Sequence, residues 1–499
     1  AGTSVTRPFQ SNYIEYGNAV AVAGEKTLFT LCDPLADYAD TSNYDLYITL
    51  WQEQLAAQLL HPEIHHFQNS IWTGRPFGEG VPQDFMTAQL SVYQAMNDIS
   101  GKESTLYAGT HGIALAMSDT MTWVNDVNGA LPQPTTREGA YGLSLPLVEK
   151  GISLGSVCLD RLSSVEQLKE VKVLLLGSDI TWPKSETPLK LLADWVRGGG
   201  VLLSIGGLNG YDSIQSEWWG GTSPSERMAS LLGLGNQLSY TPMDILSELV
   251  WCGPAGYGSN IGGVIPYLES MCLYQLEGGG KPILKSSGGE TLGMDFAVGE
   301  GRLIVCGLPS SYFATATEGP DTLRDLVEYA TRYTDVYYQE SGAMVIRRGD
   351  YWIAHAFDKE QTMTGQFVDL FDPTLPLMTS KTVDRNASAM LYDVAARLEG
   401  TTPRLLFTGG TLSAPAQETA QSTQFSIYAP TGSVCSSRLS GNGLYPQSVS
   451  AMRYGREDAS CQTTWDDVTG TLLIQIEGGT VPAEITVIWG SEPANEGIG

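Results

Sequence analysis

The chain has 499 residues, with 28 Lys and Arg against 55 Asp and Glu, a formal net charge of −27 at pH 7, and 42% hydrophobic against 17% charged residues. Such a length exceeds one compact core and implies roughly two to four domains. The acidic balance disfavours nucleic acid and anionic membrane surfaces as partners, and the 11 Trp and 23 Tyr mark a folded chain rather than a disordered one.

In chain order, residues 1–138 alternate strands and helices. Lys26 to Leu31 reads as a short strand ending in Cys32-Asp33-Pro34, and Tyr44 to Leu60 as a helix with Leu46, Leu50, Leu55 and Leu59 at helical spacing. Ile64 to Ile71 is a further strand, Asp84 to Ile99 a helix, and Gly112 to Met117 a strand ending at Ser118-Asp119. The β-α-β-α-β order fits an α/β layer or part of a barrel, and is too short for a whole eight-fold barrel of at least about 200 residues.

Residues 139–337 continue as a doubly wound unit. Tyr141 to Lys150 reads as a helix and Gly155 to Leu159 as a strand. Val171 to Leu176, the helical pattern Leu189, Leu192, Ala193 and Val196, Gly198-Gly199-Gly200 and Val201 to Ile205 then form one strand-helix-strand unit of a parallel sheet. A Gly-, Ser- and Trp-rich stretch, Asn209 to Gly280, breaks the periodicity before a last strand at Gly301 to Gly307 and a helix at Asp321 to Tyr333. Residues 338–499 are β-rich: Met344 to Phe357 reads as two strands around an Arg-Gly-Asp turn. Gly365 to Leu370, Ala389 to Val394, Arg404 to Phe407, Ser422 to Ala429 and Leu472 to Ile476 follow at sandwich-like spacing. The expected fold is therefore α/β plus β: a partial (β/α)8 barrel, a doubly wound parallel sheet and a C-terminal β-sandwich.

Several chemistries are disfavoured by position. Gly198-Gly199-Gly200 lies between a helix and a strand, where it caps the helix C-terminus instead of cradling phosphate. The strand Val201 to Ile205 runs into Gly206-Gly207-Leu208 without a cysteine nucleophile, and Cys158 and Cys306 sit in apolar strands, which suits core packing. There is no GxSxG elbow. No CxxC occurs among the seven cysteines; buried thiols are the favoured reading, with Cys252–Cys272 and Cys435–Cys461 as the alternative disulfides.

The N-terminal third holds the candidate chemistry, because function gathers at the carboxyl ends of parallel strands. Asp33 and Asp37 follow the first strand, His65, His66 and Gln68 fall in or after the second, Trp72 lies just beyond it, and Asp119 follows the third. Paired carboxylates flanking an aromatic-lined cleft are what glycosidic cleavage requires, one protonating the leaving oxygen and the other attacking or activating water. Glu63, Asp33 and Asp119 are the catalytic candidates; Gln68, His65, His66, Trp72 and Asp37 are the substrate-binding candidates. Taken singly, Asp33-Pro34 is also turn chemistry and Ser118-Asp119-Thr120 a helix cap. His65-His66 alternates faces and gathers too few ligands for zinc, so no metal or cofactor is expected.

Phe29 to Pro34, Leu60 to Gln68, Gly109 to Ile113 with Met117 to Met121, Tyr141 to Leu147, Val345 to Tyr351 and Phe367 to Asp372 together resemble large bacterial glycoside-hydrolase-like proteins. These carry a TIM barrel, then a class I glutamine-amidotransferase-like (flavodoxin-type) domain, then β domains. The middle domain is similar to the trimerisation domain of family 42 β-galactosidases, which lacks the amidotransferase cysteine. The resemblance implies a carbohydrate substrate, a homo-oligomer, and a barrel of which only the last strands are present, completed by an N-terminal fragment or companion subunit. It also implies a Glu at the place of Gln68. Glutamine hydrogen-bonds but does not ionise, so either Glu63 serves instead or the protein is a catalytically silent carbohydrate-binding or assembly protein. No apolar run reaches the roughly 18 residues of a membrane helix; a Lys-poor, Ser-, Thr- and Gly-rich surface fits a secreted or cell-surface protein and leaves the cytoplasm open.

Overall fold

The computed structural model describes residues 7–32, 43–68, 77–78, 80–118, 139–181, 183–206, 224–243, 249–252 and 273–493. The expectations for Asp33, Asp37, Trp72, Asp119 and Cys272 lie outside these residues. The chain divides into two units, one of Ala1–Tyr16, Thr27–Ala108 and Ala343–Gly499, the other of Gly17–Lys26 and Gly109–Gly342.

In the first unit, helix α1 (Pro8–Ala23, to Tyr16 in this unit) precedes β1 (Phe29–Leu31), α2 (Tyr44–Leu59), β2 (His66–Gln68), α3 (Gln83–Ile99) and β3 (Ser104–Ala108). Helix α2 begins where Asn43 Oδ1 accepts from the Leu46 N–H at 3.2 Å, and it buries Leu50, Trp51, Leu55 and Leu59. It is the crossover between β1 and β2, which pair in parallel with Phe29 opposite His66 and Leu31 opposite Gln68. These are the only two strands of that sheet among the described residues, so a complete barrel is not present there.

The second unit holds β4 (Thr110–Met117), α4 (Leu145–Val148), β5 (Ile152–Cys158), β6 (Val173–Gly177), α5 (Thr187–Arg197), β7 (Val201–Ile205), α6 (Pro224–Leu231), β8 (Leu238–Met243) and β9 (Leu249–Trp251). It ends with β10 (Leu273–Gly278), β11 (Lys281–Ser286), β12 (Thr291–Val298), β13 (Gly301–Cys306), α7 (Tyr312–Thr315) and α8 (Gly319–Thr331). Eight strands join in the order β5-β4-β6-β7-β13-β12-β11-β9, the first five parallel and the rest antiparallel. The parallel part has the 2-1-3-4-5 order of doubly wound, flavodoxin-like sheets. Buried Leu189, Leu192 and Val196 of α5 cluster with Leu174, Leu176 and Leu202 of the sheet, while α8 packs on β6 and β7 with Leu323, Leu326 and Val327.

The strand expected at Gly112 to Met117 as part of the barrel belongs instead to this sheet. Ile113 to Leu115 pair with β5 on one side and β6 on the other, because a continuous apolar strand needs partners on both edges. The helix expected over Tyr141 to Lys150 is interrupted: Ser144 closes a turn and α4 covers only Leu145–Val148. A side chain at Gly142 would stand 2.5 Å from the Ser310 carbonyl oxygen. The triple glycine does cap a helix C-terminus: Gly199 has φ +116°, and the N–H groups of Gly198 and Gly200 reach the carbonyls of Asp194 and Trp195, both at 3.1 Å.

Back in the first unit, β14 (Ala343–Arg348), β15 (Tyr351–Ala356), β16 (Gln361–Asp369), β17 (Leu377–Val383) and β18 (Ala387–Asp393) join β3 in the order β17-β16-β18-β15-β14-β3. Gly349, at φ +59°, makes the tight turn between β14 and β15. Two further sheets form the C-terminal sandwich. One is ordered β19-β23-β27-β26, from β19 (Arg404–Thr408), β23 (Val434–Ser440), β26 (Gln462–Asp466) and β27 (Thr471–Glu477). The other is ordered β20-β22-β28-β24-β25, with β21 also on β22, from β20 (Thr411–Leu412), β21 (Gln417–Glu418), β22 (Ser422–Tyr428), β24 (Tyr445–Arg453), β25 (Arg456–Glu457) and β28 (Ala483–Gly490). Alternating inward residues such as Phe425, Ile427, Leu439, Ile474, Ile485 and Val487 make one core between them. Cys435 and Cys461 are free thiols, not a disulfide; Cys435 is buried in that core, where burial pushes its thiol up to about 11.

Candidate functional site

The β1-α2-β2 unit stands on a buried polar layer. Glu53, Gln54 and Gln58 of α2 are all buried although their types favour solvent. Gln54 donates from Nε2 to Asn12 Oδ1 at 2.8 Å and accepts from Cys32 Sγ at 3.6 Å; Gln58 Nε2 donates to Thr30 Oγ1. Tyr16 OH reaches the Leu31 carbonyl at 2.7 Å, and Cys32 N–H the Gln68 carbonyl at 2.9 Å. These bonds satisfy groups that burial would otherwise leave costly. The pattern that could have exposed them is Gln54 and Gln58 four apart on the face that also carries Leu55.

Arg348, at the end of β14, is fully buried. Its guanidinium donates to the carbonyls of Leu59 at 3.3 Å, His61 at 3.4 Å, Pro62 at 3.4 Å and Ile64 at 2.8 Å. It thereby clasps the turn that leads from α2 into β2. Burial lowers its pKa to about 10, opposed by the charge of Glu63, so it stays a cation at neutral pH. His61 Nε2 donates to the Tyr13 carbonyl at 2.8 Å and its ring stacks on Tyr13; burial holds the imidazole below its ordinary pKa.

Glu63 is an exposed residue of that turn, just before β2. His65 Nδ1 accepts from the Gly101 N–H at 3.3 Å, and its pKa is lowered first by burial and then by Arg348. His66 is exposed at the start of β2, its ring 5.1 Å from that of Phe29. Gln68 is exposed at the other end of β2, opposite Leu31 and hydrogen-bonded through its backbone to Cys32. The candidates therefore divide between the two ends of the strand pair. Glu63, His65 and His66 stand at the amino end, and Gln68 stands at the carboxyl end beside the Cys32 that precedes Asp33. In a complete barrel the amino end, where Glu63 stands, is the face associated with stability and the carboxyl end the face associated with catalysis. Asp33, Asp37, Trp72 and Asp119 lie outside the described residues.

A second polar constellation occupies the carboxyl ends of β6, β7 and β13. Half-buried Asp179 accepts from Ser310 N–H at 2.8 Å and from Ser310 Oγ at 2.5 Å, with desolvation raising its pKa against those bonds. Gly206, at φ +86°, passes so close that a Cβ there would meet Asp179 at 2.6 Å. Ser178, Ser204 and Ser225 chain their hydroxyls at 2.8 and 3.2 Å. The sequence signal was a Ser-Asp directly after an apolar strand. Cys306 at the end of β13 is wholly buried, its thiol raised to about 12 by burial, which is the opposite of an activated nucleophile. Among the described residues, no group of three or more His, Cys, Asp or Glu side chains is gathered to hold a metal ion, and no helix is long and apolar enough to cross a membrane.

No family model matches the chain, and no curated protein matches it. Solved structures similar to it include glycoside hydrolases at low identity. The β-galactosidase from Bacillus circulans sp. alkalophilus is 11% identical with a TM-score of 0.48, over 79% of this chain and 59% of that one. A GH42 β-galactosidase from G. stearothermophilus is 13% identical with a TM-score of 0.42, over 70% and 50%. An exo-β-1,4-mannosidase from Opitutaceae bacterium strain TAV5 is 15% identical with a TM-score of 0.31, over 49% and 38%. The chain thus spans between 50% and 59% of the length of these two β-galactosidases.

Proposed function

We propose that the chain is a glycoside-hydrolase-like, carbohydrate-active protein whose sugar site lies at the carboxyl ends of β1 and β2. The supporting observation is the parallel pairing of β1 and β2 across the α2 crossover, which puts Gln68 and Cys32 at one common end. Asp33 and Asp37 follow directly in sequence, and Trp72 lies shortly after Gln68. In this reading Asp33 or Asp37 supplies one carboxylate and Gln68 a hydrogen bond to a sugar hydroxyl. A second carboxylate comes from a fragment or companion subunit that adds strands beside β1 and β2, which are the only strands of their sheet among the described residues. Asp119 is retained in the proposal only as a sequence candidate. Glu63, at the amino end and beside Arg348, takes the role of a counter-charge.

The second reading is a catalytically silent carbohydrate-binding or assembly protein. It is favoured by the glutamine at the carboxyl end and by the placement of Glu63 at the other end. Hydrolysis of a panel of aryl glycosides by the chain, alone and with candidate partner fragments, separates the two. Activity lost in Asp33→Asn or Asp37→Asn and kept in Glu63→Gln supports the enzyme. Glycan binding without turnover supports the silent protein, and loss of turnover in Glu63→Gln alone refutes the placement of the site.

A further inference from the structure

A groove of about 620 Å³ lies between the edge strand β17 and two sandwich turns, at Ser440 to Gly443 and Val468 to Gly470. Its size falls within the range of about 300–1,000 Å³ usual for small-ligand sites. In a chain of net charge −27, none of its lining residues is charged; Gln366, Leu377, Thr379, Ser380, Asn442 and Thr469 are among them. An anionic or cationic ligand finds no counter-charge there, whereas amides and hydroxyls suit a neutral one.

The backbone aims polar groups into this groove. In the β16–β17 ladder Thr364 faces Ser380 and Phe367 faces Met378, so Gly365 and Gln366 together oppose Thr379. This is a β-bulge, a device that redirects a side chain and recurs beside binding sites. Gln366 lines the groove, and its backbone carbonyl accepts from the Val394 N–H at 2.8 Å. Its planar amide offers two donors and an acceptor, the set that pairs with adjacent sugar hydroxyls. Leu377 and the Val468 side chain, 94% exposed, give apolar ledges for the C–H faces of a sugar ring.

The walls are fixed beforehand. Buried Arg438 donates from Nε to the Leu375 carbonyl at 3.0 Å and from Nη2 to that of Thr374, and Ser436 Oγ donates to the Pro373 carbonyl at 2.6 Å. The turn joining β16 and β17 is thereby tied to β23. Asn442, at φ +45°, donates to the Thr402 carbonyl at 2.6 Å and accepts from Ser440 Oγ at 2.6 Å. A site whose walls are already ordered loses little conformational freedom on binding.

We propose that this groove binds a neutral oligosaccharide, read chiefly by Gln366 and Thr379. It does not depend on the site assigned to the carboxyl ends of β1 and β2. Binding of cellopentaose, xylopentaose and β-1,4-galactotetraose to the full chain is measured by titration calorimetry, in the wild type, Gln366→Ala, Thr379→Val and the double variant Asp33→Asn/Asp37→Asn. At least one sugar is expected to bind. Gln366→Ala and Thr379→Val should each weaken one binding event at least tenfold without moving Tm, and the double variant should keep that same event even where it loses a second one at the carboxyl ends of β1 and β2. Thr379 is exposed on an edge strand, so its variant guards against a folding artefact at Gln366. No binding of any of the three sugars, binding unchanged in both groove variants, or binding lost only in the Asp33/Asp37 variant overturns the proposal. So does displacement of the sugar by a neutral extended peptide that binds tighter, which would make the β17 edge a peptide site.

Discussion

Arg348 Nη2 donates to the carbonyl oxygen of Ile64 at 2.8 Å across a sequence separation of 284 residues. Because the same buried guanidinium holds the carbonyls of Leu59, His61 and Pro62, removing it leaves several acceptors unpaired. Arg348→Met is expected to cost about 3–5 kcal/mol, and Arg348→Lys to restore only part, since an ammonium cannot span the same fork. Urea unfolding of the full chain checks this: only the transition of the first unit should shift.

Glu53 lies buried and accepts from the Phe9 N–H at the start of α1, with burial raising its pKa to about 7. A raised carboxyl binds more protons in the folded state than in the unfolded one. Its contribution is therefore complete below about pH 4.5 and is lost as pH rises toward 7. Glu53→Gln keeps an acceptor for Phe9 without the charge. It should raise stability at pH 8 by about 2–3 kcal/mol and leave it unchanged at pH 4, as read from unfolding midpoints at the two pH values.

His355 stacks its ring on Phe9 with centroids 3.8 Å apart, and burial lowers its pKa to about 3. The sign is opposite. A lowered imidazole contributes fully above about pH 6.5 and loses about 1.4 kcal/mol per unit as pH falls below that. Between pH 4.5 and 6.5 the Glu53 and His355 slopes offset each other. His355→Phe should move the acid unfolding midpoint of the first unit to lower pH; an unchanged midpoint would show that His355 does not govern acid unfolding.

In the second unit Arg302 makes a two-pronged bond to buried Asp295, at 2.7 and 2.8 Å, while Tyr329 OH donates to the same carboxylate at 2.6 Å. Arg302 also lies 4.0 Å over the Tyr333 ring. Asp295→Asn leaves a half-buried cation without its counter-charge and should cost about 3–5 kcal/mol. Asp295→Asn combined with Arg302→Leu should cost less than the single change, and a double-mutant cycle on Tm tests this.

Much of the scaffold was legible because local pattern and final environment agree. The apolar runs of β6 and β7 with Leu189, Leu192 and Val196 between them admit one answer, and so does the helix over Tyr44 to Leu59. What was missed depends on distant partners. Ser104 to Ala108 lacks a clear apolar alternation, yet it pairs with β14. Gly112 to Met117 reads as a strand, but nothing local says which sheet it joins. For the candidate site, residue types pointed to the β1–β2 region. Only the start of β2 at His66 reveals that Glu63 and Gln68 stand at opposite ends, and only the β16–β17 register reveals Gln366.

The pairing of Ala108 with Val345 also sets an order of events during synthesis. Strand β3 emerges well before β14, and the whole stretch Gly109–Gly342 of the second unit is made in between. At about 5–20 residues per second, the edge of β3 and the turn awaiting Arg348 remain unpartnered for on the order of tens of seconds. The inserted unit, by contrast, has most of its own strands in hand before the interrupted one is whole.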